Sequence, residues 1–226
     1  MRRAFGPPGI AVRRLGRRDC ERTIREMREY TASRTADSAD EIWLVEHPPV
    51  YTLGQAGRRE HVHAPGRIPV VTTDRGGQVT YHGPGQAVVY VLLDLRRLVL
   101  GVRGIVRDLE QAVIDTVGRA GVAATRRPGA PGVYVNGAKL AAVGLRVRRG
   151  CTYHGIAVNV DLDPAPFRGI DPCGYADLAV VRLRDLGVDW TAEETGERVA
   201  EALKGLVARH RAPPTRAGAR PSGQTA

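Results

Sequence analysis

Two dipeptides do most to limit what this chain can fold into. Asn136-Gly137 and Arg149-Gly150 each separate runs of largely apolar residues. Asn-Gly is a strong hairpin signal, because a two-residue type I′ turn needs positive φ at both central positions. Arg-Gly supports a second reversal of the same kind. Residues 133–160 therefore read as a three-stranded antiparallel meander. A turn centred on Arg149-Gly150 sets Lys139 opposite Asn159 and Val160.

Around the meander the pattern mixes helices and strands. Cys20, Ile24, Met27 and Thr31 recur at helical spacing within 19–34. Val106, Leu109, Val113 and Val117 form one stripe over 103–119, with Gly121 suited to the C-terminal cap. Thr191 and Glu194 make a capping box at the start of a helix over 191–209. Strands are expected at 41–45, 70–73 and 87–95, the last apolar enough to be buried on both faces. No regular strand-helix-strand period runs through the chain. The expected class is α+β: a mixed, largely antiparallel sheet packed with helices. Residues 1–211 read as a single catalytic domain. Residues 212–226, rich in Pro, Arg and Gly, have little to bury and read as a disordered tail.

Composition narrows the function classes. With 42% hydrophobic and 26% charged residues the chain is globular, and its longest apolar run, 87–93, is too short to span a membrane. The basic N-terminus lacks the apolar core of a secretory signal. Three cysteines without a CxxC spacing fit a reducing, cytoplasmic setting. The net charge is +10, and 116–160 holds no Asp or Glu while carrying Arg126, Arg127, Lys139, Arg148 and Arg149. Such charge suits a nucleic acid, an anionic membrane or an acidic protein partner, or reflects a general Arg-rich bias.

Lys139 heads a strand row with Ala141, Val143, Leu145 and Val147. Burial there disfavours an ammonium, which is what a proton-accepting amine requires. The alternative is a snorkelling side chain at a strand end. Leu140, Ala142 and Gly144 occupy the other face, leaving either a slot for a flexible chain or close backbone packing. Cys173, between Pro172 and Gly174, is a candidate nucleophile, or else an inert small side chain. The pairing of the meander lets the loop after it bring Cys173 back towards Lys139, and a neighbouring Lys favours the thiolate. His82 and His154 are candidates to position an acyl group or its oxyanion, or to serve as structural hydrogen-bonding groups. His47 reads as a turn residue and Cys20 as core. His61-x-His63 and Cys151-x-x-His154 lack the partners of a metal site.

Several segments together resemble the lipoyl(octanoyl) transferase family, also called lipoate-protein ligase B. They are RGGQVTYHGPGQ at 75–86, GAKLAAVGLRV at 137–147, TYHGIAVNVDLD at 152–163 and FRGIDPCGY at 167–175, with VYTLGQ at 50–55 as a weaker match. The likeness covers roughly residues 10–205. It implies a fold similar to the biotin/lipoate ligase catalytic domain. It implies octanoyl transfer from octanoyl-acyl carrier protein to a lysine of lipoyl domains, in 2-oxoacid dehydrogenase complexes and the glycine cleavage H protein. It implies a thioester on Cys173 with Lys139 as acid/base, and neither cofactor nor metal. The implied acyl pocket draws on Arg75, Gly76, Gly77, Gln78, Val79, Thr80, Tyr81 and His82, on Ala142, Val143 and Gly144, and on His154, Gly155, Ile156 and Ala157. No nucleic acid or membrane enters this scheme. The rivals are an ATP-dependent lipoate or biotin ligase, a nucleic-acid-binding basic domain, and a cysteine hydrolase pairing Cys173 with His154.

Overall fold

A computed structural model describes residues 9–171 and 178–210. Both turns form as their residues require: φ is +49° at Asn136 and +84° at Gly137, and +52° at Arg149 and +77° at Gly150. They join β7 (Gly132–Val135), β8 (Ala138–Arg148) and β9 (Cys151–Asn159). Ala141 lies opposite Val158 and Gly144 opposite Gly155, the register expected from the turn. One irregularity was not foreseen. Val133 pairs with Ala141, but Tyr134 pairs with Lys139, leaving Leu140 as the extra residue of a bulge. The bulge inverts the alternation. Leu140 and Ala141 both enter the same core, while Lys139 turns to the side of Ala142. The expected row of Lys139 with Ala141 is thus corrected.

The meander forms one side of a six-stranded sheet in the order β1-β2-β6-β9-β8-β7, completed by β1 (Ile10–Arg17), β2 (Asp40–Glu46) and β6 (Gln86–Leu92). Only β1 with β2 is parallel. A second, three-stranded sheet, β4-β3-β5, contains β3 (Val50–Leu53), β4 (Val70–Thr72) and β5 (Val79–His82). Among the described residues three α-helices pack on the sheets: α1 (Cys20–Ser33), α2 (Val102–Gly118) and α3 (Ala192–Ala208), the last opened by the Thr191–Glu194 capping box.

Strand alternation sorts the core into two sides. Ile42, Leu44, Val89, Val91, Ile156 and Val158 meet the apolar stripes of α2 and α3. Trp43, Val45, Val88, Tyr90, Leu92 and Ala157 meet Cys20, Ile24 and Met27 of α1. At the centre β9 passes so close to β6 that a Cβ at Gly155 would stand 2.0 Å from the Val89 carbonyl oxygen. Gly155→Ala must therefore push two central strands apart. It is expected to cost about 2–3 kcal/mol, read as a lowered urea midpoint.

Candidate active site

Between α1, the inner face of β6-β9-β8 and the glycine-rich segment lies an apolar pocket of about 580 Å3 including its open mouth. Of the residues expected there, Arg75, Gly77, Gln78, Val79, Thr80 and His82 line it from the glycine-rich side. Ala142, Val143 and Gly144 line it from β8, and His154, Gly155, Ile156 and Ala157 from β9. Two do not. Gly76 faces an adjoining groove, with its N–H donating to the Leu145 carbonyl. Tyr81 turns away to pack on Tyr51 and Phe167. Cys20, Ile24, Thr52, Thr73, Val88 and Tyr90 complete the wall and were not anticipated. An apolar helical stripe reads the same whether it faces a packed core or the wall of a cavity. Gly144 borders the pocket and packs closely against the glycine-rich segment 75–86, with Arg75 Cδ 2.9 Å and the Gly76 carbonyl oxygen 3.1 Å from where a Cβ would be.

The pocket's polar groups are held from behind. His47 lies in the turn between β2 and β3, as expected, and is also fully buried: Nδ1 meets the Arg18 carbonyl at 2.7 Å and Nε2 the Tyr90 hydroxyl at 2.8 Å. His82 Nδ1 lies 2.7 Å from Gln86 Oε1, and Gln86 Nε2 donates to Asn159 Oδ1. His154 has φ +62°, a strained conformation for a histidine in a strand. That twist breaks the alternation of β9 and sets its ring beside Tyr153, 5.0 Å between centroids, on the pocket side. There Nε2 lies 3.0 Å from Asp74 Oδ1, and Asp74 also receives Arg28 and the Tyr153 hydroxyl. Burial alone would raise the Asp74 carboxyl, but hydrogen bonds from His154, Arg28 and Tyr153 outweigh it and hold it well below the usual carboxylate range.

All three histidines are pushed down. Burial is the main cause for His47 and His154, and for His82 burial is joined by the charges of His47 and Arg75 to bring it to about 3. The pocket therefore offers neutral imidazoles near pH 7. Below pH 6.5 the unfolded chain takes up protons that these rings refuse in the native state. This contribution to stability is complete above that value and falls as pH drops below it, for His82 down to about 3, by at most about 1.4 kcal/mol per pH unit for each ring. Urea midpoints measured between pH 7.5 and 5 are expected to show this fall, with a shallower slope in His82→Gln.

Lys139 is only 4% exposed. Its Nζ stands 5.4 Å from the Tyr134 ring centroid, and its methylenes pack against Gly132. It shares a small cavity with Thr80, Ala142 and Asn159, and Thr80 and Ala142 also border the apolar pocket, so the two cavities share a wall. Cys173 lies outside the described residues, but both flanks of its segment are anchored. On one side the Asp171 N–H donates to the His61 carbonyl, and its carboxylate meets His63 Nε2 at 2.9 Å. On the other, Ala179 and Val181 bracket Lys139: its N–H donates to Ala179 O at 2.7 Å, and its carbonyl accepts from Val181 at 3.1 Å. Asn159 Nδ2 lies 3.4 Å and 3.3 Å from the Lys139 and Val181 carbonyls. His61 and His63 thus serve the chain flanking Cys173. Among the described residues no cluster of three metal-ligating side chains occurs.

The fold is that of solved lipoate and biotin protein ligases. A solved structure of an archaeal lipoylation system from Thermoplasma acidophilum, a bi-partite lipoate protein ligase and its E2 lipoyl domain, superposes with a TM-score of 0.70 at 16% identity, covering 88% of this chain and 84% of that one. Biotin protein ligase from Aquifex aeolicus gives 0.53 at 11% identity, covering 89% and 69%. The sequence is more specific. Residues 23–204 match the family described as Lipoyl protein ligase A/B catalytic domain. The octanoyltransferase of Thiobacillus denitrificans is 60% identical over 197 residues, 87% of this chain and 90% of that protein. That of Alkalilimnicola ehrlichii is 64% identical over 179 residues, 79% and 83%. The chain belongs to the octanoyltransferases of the lipoyl protein ligase A/B family, and is an acyltransferase.

Proposed function

We propose that this chain moves octanoyl from octanoyl-acyl carrier protein to a specific lysine of lipoyl domains, those of 2-oxoacid dehydrogenase E2 subunits and the glycine cleavage H protein, through a thioester on Cys173. The observation that carries the proposal is the buried Lys139, in a small cavity that shares Thr80 and Ala142 with the apolar pocket, hydrogen-bonded through its backbone to the chain that leaves the Cys173 segment.

The chemistry follows from those two groups. Lys139 Nζ takes the proton of the Cys173 thiol. The thiolate attacks the donor's thioester carbonyl, and the bond to the carrier sulfur breaks as that sulfur receives a proton from Lys139. The octanoyl chain is held meanwhile by the apolar pocket. The acceptor lysine, neutral, then attacks the acyl-enzyme. A carbon–nitrogen bond forms, the bond to Cys173 breaks, and the proton shed by nitrogen returns through Lys139 to sulfur. No step needs a metal or a nucleotide.

Intact mass spectrometry after mixing the protein with octanoyl-carrier protein, without ATP, tests this. An octanoyl increment mapping to Cys173, and discharged by a lipoyl domain, is expected. Transfer that proceeds only with ATP and free octanoate would identify the chain as a ligase. The basic surface expected to steer an acidic carrier is reduced by one member: Arg126 is committed to Glu110, which also accepts the Gly132 N–H and so braces the chain beside Lys139. Arg127, Arg148 and Arg149 are exposed. No described helix is long and apolar enough to cross a membrane.

A further inference from the structure

The acyl pocket has a second neighbour. Gly77, Gln78, Val143 and Gly144 border both it and an outer groove of about 880 Å3. β7 pairs with β8 only as far as Ala142, so the groove runs along an edge with no strand beside it among the described residues. Its other side is the start of α2. Val102, Val106, Pro131 and Leu145 give it apolar walls, and no carboxylate lines it. Arg103 and Arg107, both exposed, stand one helix position on from Val102 and Val106, so a cationic stripe borders the apolar one. The Gln78 Oε1 atom, in the wall between groove and pocket, is buried and has no hydrogen-bond partner. At the inner end Pro131 leads into Gly132, whose Cβ position would lie 2.9 Å from Lys139 Cε. The chain that lines the groove therefore runs on to the Lys139 side chain.

We infer that this groove receives the arm by which an acyl carrier protein presents its thioester: a slender pantetheine-type chain of methylenes and amides ending in a phosphodiester. This rests on the proposed thioester donor and deepens it. The apolar walls suit the methylenes, and the buried Gln78 oxygen takes an amide N–H that nothing in the protein supplies. The Arg103–Arg107 stripe faces the phosphodiester and the acidic surface of the carrier behind it. The arm's thioester then reaches the wall that the pocket shares with the Lys139 cavity while the octanoyl chain turns inward past Val143 and Gly144.

The experiment compares octanoyl-carrier protein with octanoyl-N-acetylcysteamine, which has the same reacting bond but almost none of the arm. The readout is the ratio of their kcat/KM values for thioester formation. Val106→Trp, which fills the groove, is expected to lower the carrier-to-short-donor ratio at least about tenfold, as is the surface pair Arg103→Glu/Arg107→Glu. Gln78→Leu is expected to raise KM for the carrier donor more than kcat falls. Octanoyl-CoA, with the same arm on a nucleotide, is the third donor. A ratio unmoved in both Val106→Trp and the arginine pair overturns the inference while leaving the proposed function standing. A larger loss for octanoyl-CoA than for carrier protein in the arginine pair overturns the assignment to a carrier. No thioester from any donor in the unmodified protein overturns both readings.

Discussion

Cys173→Ala is expected to lower octanoyl transfer by about a thousandfold or more and to abolish the octanoyl mass increment. The proposed mechanism makes the effect large, because in it the nucleophile is not one contributor among several. Without it the reaction has no covalent intermediate, and the acceptor amine must attack the donor thioester directly, with both proteins present at once. What survives is the positioning supplied by the pocket. Cys173→Ser distinguishes the proposal from its rivals. An alcohol is a far weaker acid than a thiol, so an amine that readily takes a thiol proton takes an alcohol's poorly, and activity stays near that of the alanine variant. An ATP-dependent ligase would keep its rate in both, since its acyl group is activated as a mixed anhydride. A cysteine hydrolase would lose activity in both variants, but the unmodified protein would release free octanoate without acylating a lipoyl domain. The decisive measurements are intact mass and transfer to a lipoyl domain, with urea midpoints confirming that each variant is folded. Wild-type transfer by a folded Cys173→Ala protein would end the thioester mechanism.

Much of this arrangement was legible in the sequence where local chemistry decides the structure. Asn136-Gly137 and Arg149-Gly150 specify their turns through backbone dihedrals, and the turns carry the register of β7, β8 and β9 with them. The capping box of α3 and the stripes of α1 and α2 are equally local. What was missed depends on distant partners. β1 is rich in Arg and β3 is only four residues long after two prolines, and both exist because β2, β4 and β5 lie beside them. The glycine-rich segment was expected to lead into a strand but itself contains β5, which pairs with β3. The bulge at Leu140 is set by how β7 meets β8, and no pattern in 138–148 announces it. It nonetheless decides which face Lys139 occupies. His154 is a similar case: alternation assigns it to the core of α2 and α3, and only its positive φ brings it to the pocket. His47 stands in the turn its prolines announce, but its burial and its bonds to the Arg18 carbonyl and the Tyr90 hydroxyl come from distant parts of the chain.

The bulge is also why Lys139 is the more searching test of the mechanism. Lys139→Met keeps an unbranched side chain of similar length against Gly132 and Tyr134, so the site remains filled. Acylation of Cys173 near pH 7 is expected to fall by about a hundred- to ten-thousandfold, the usual worth of a positioned acid/base. The loss should depend on pH in a particular way. With no amine to take its proton, the thiol must ionise into water, so the variant's rate should climb about tenfold per pH unit until it levels near a free thiol's pKa of about 8.5. The unmodified protein, whose proton acceptor is built in, should show a shallower rise over the same range. Lys139→Arg then separates chemistry from charge. A guanidinium keeps the positive charge and can still favour a nearby thiolate or tie down a loop, but it does not give up its proton in this pH range. If Lys139 passes a proton to the departing sulfur, Arg fails almost as badly as Met. If Lys139 acts only as a fixed charge, Arg restores much of the rate. A Lys139→Arg protein that forms the octanoyl thioester at near wild-type speed would therefore remove the amine from the proton transfer and leave it an anchor for the chain around Ala179 and Val181.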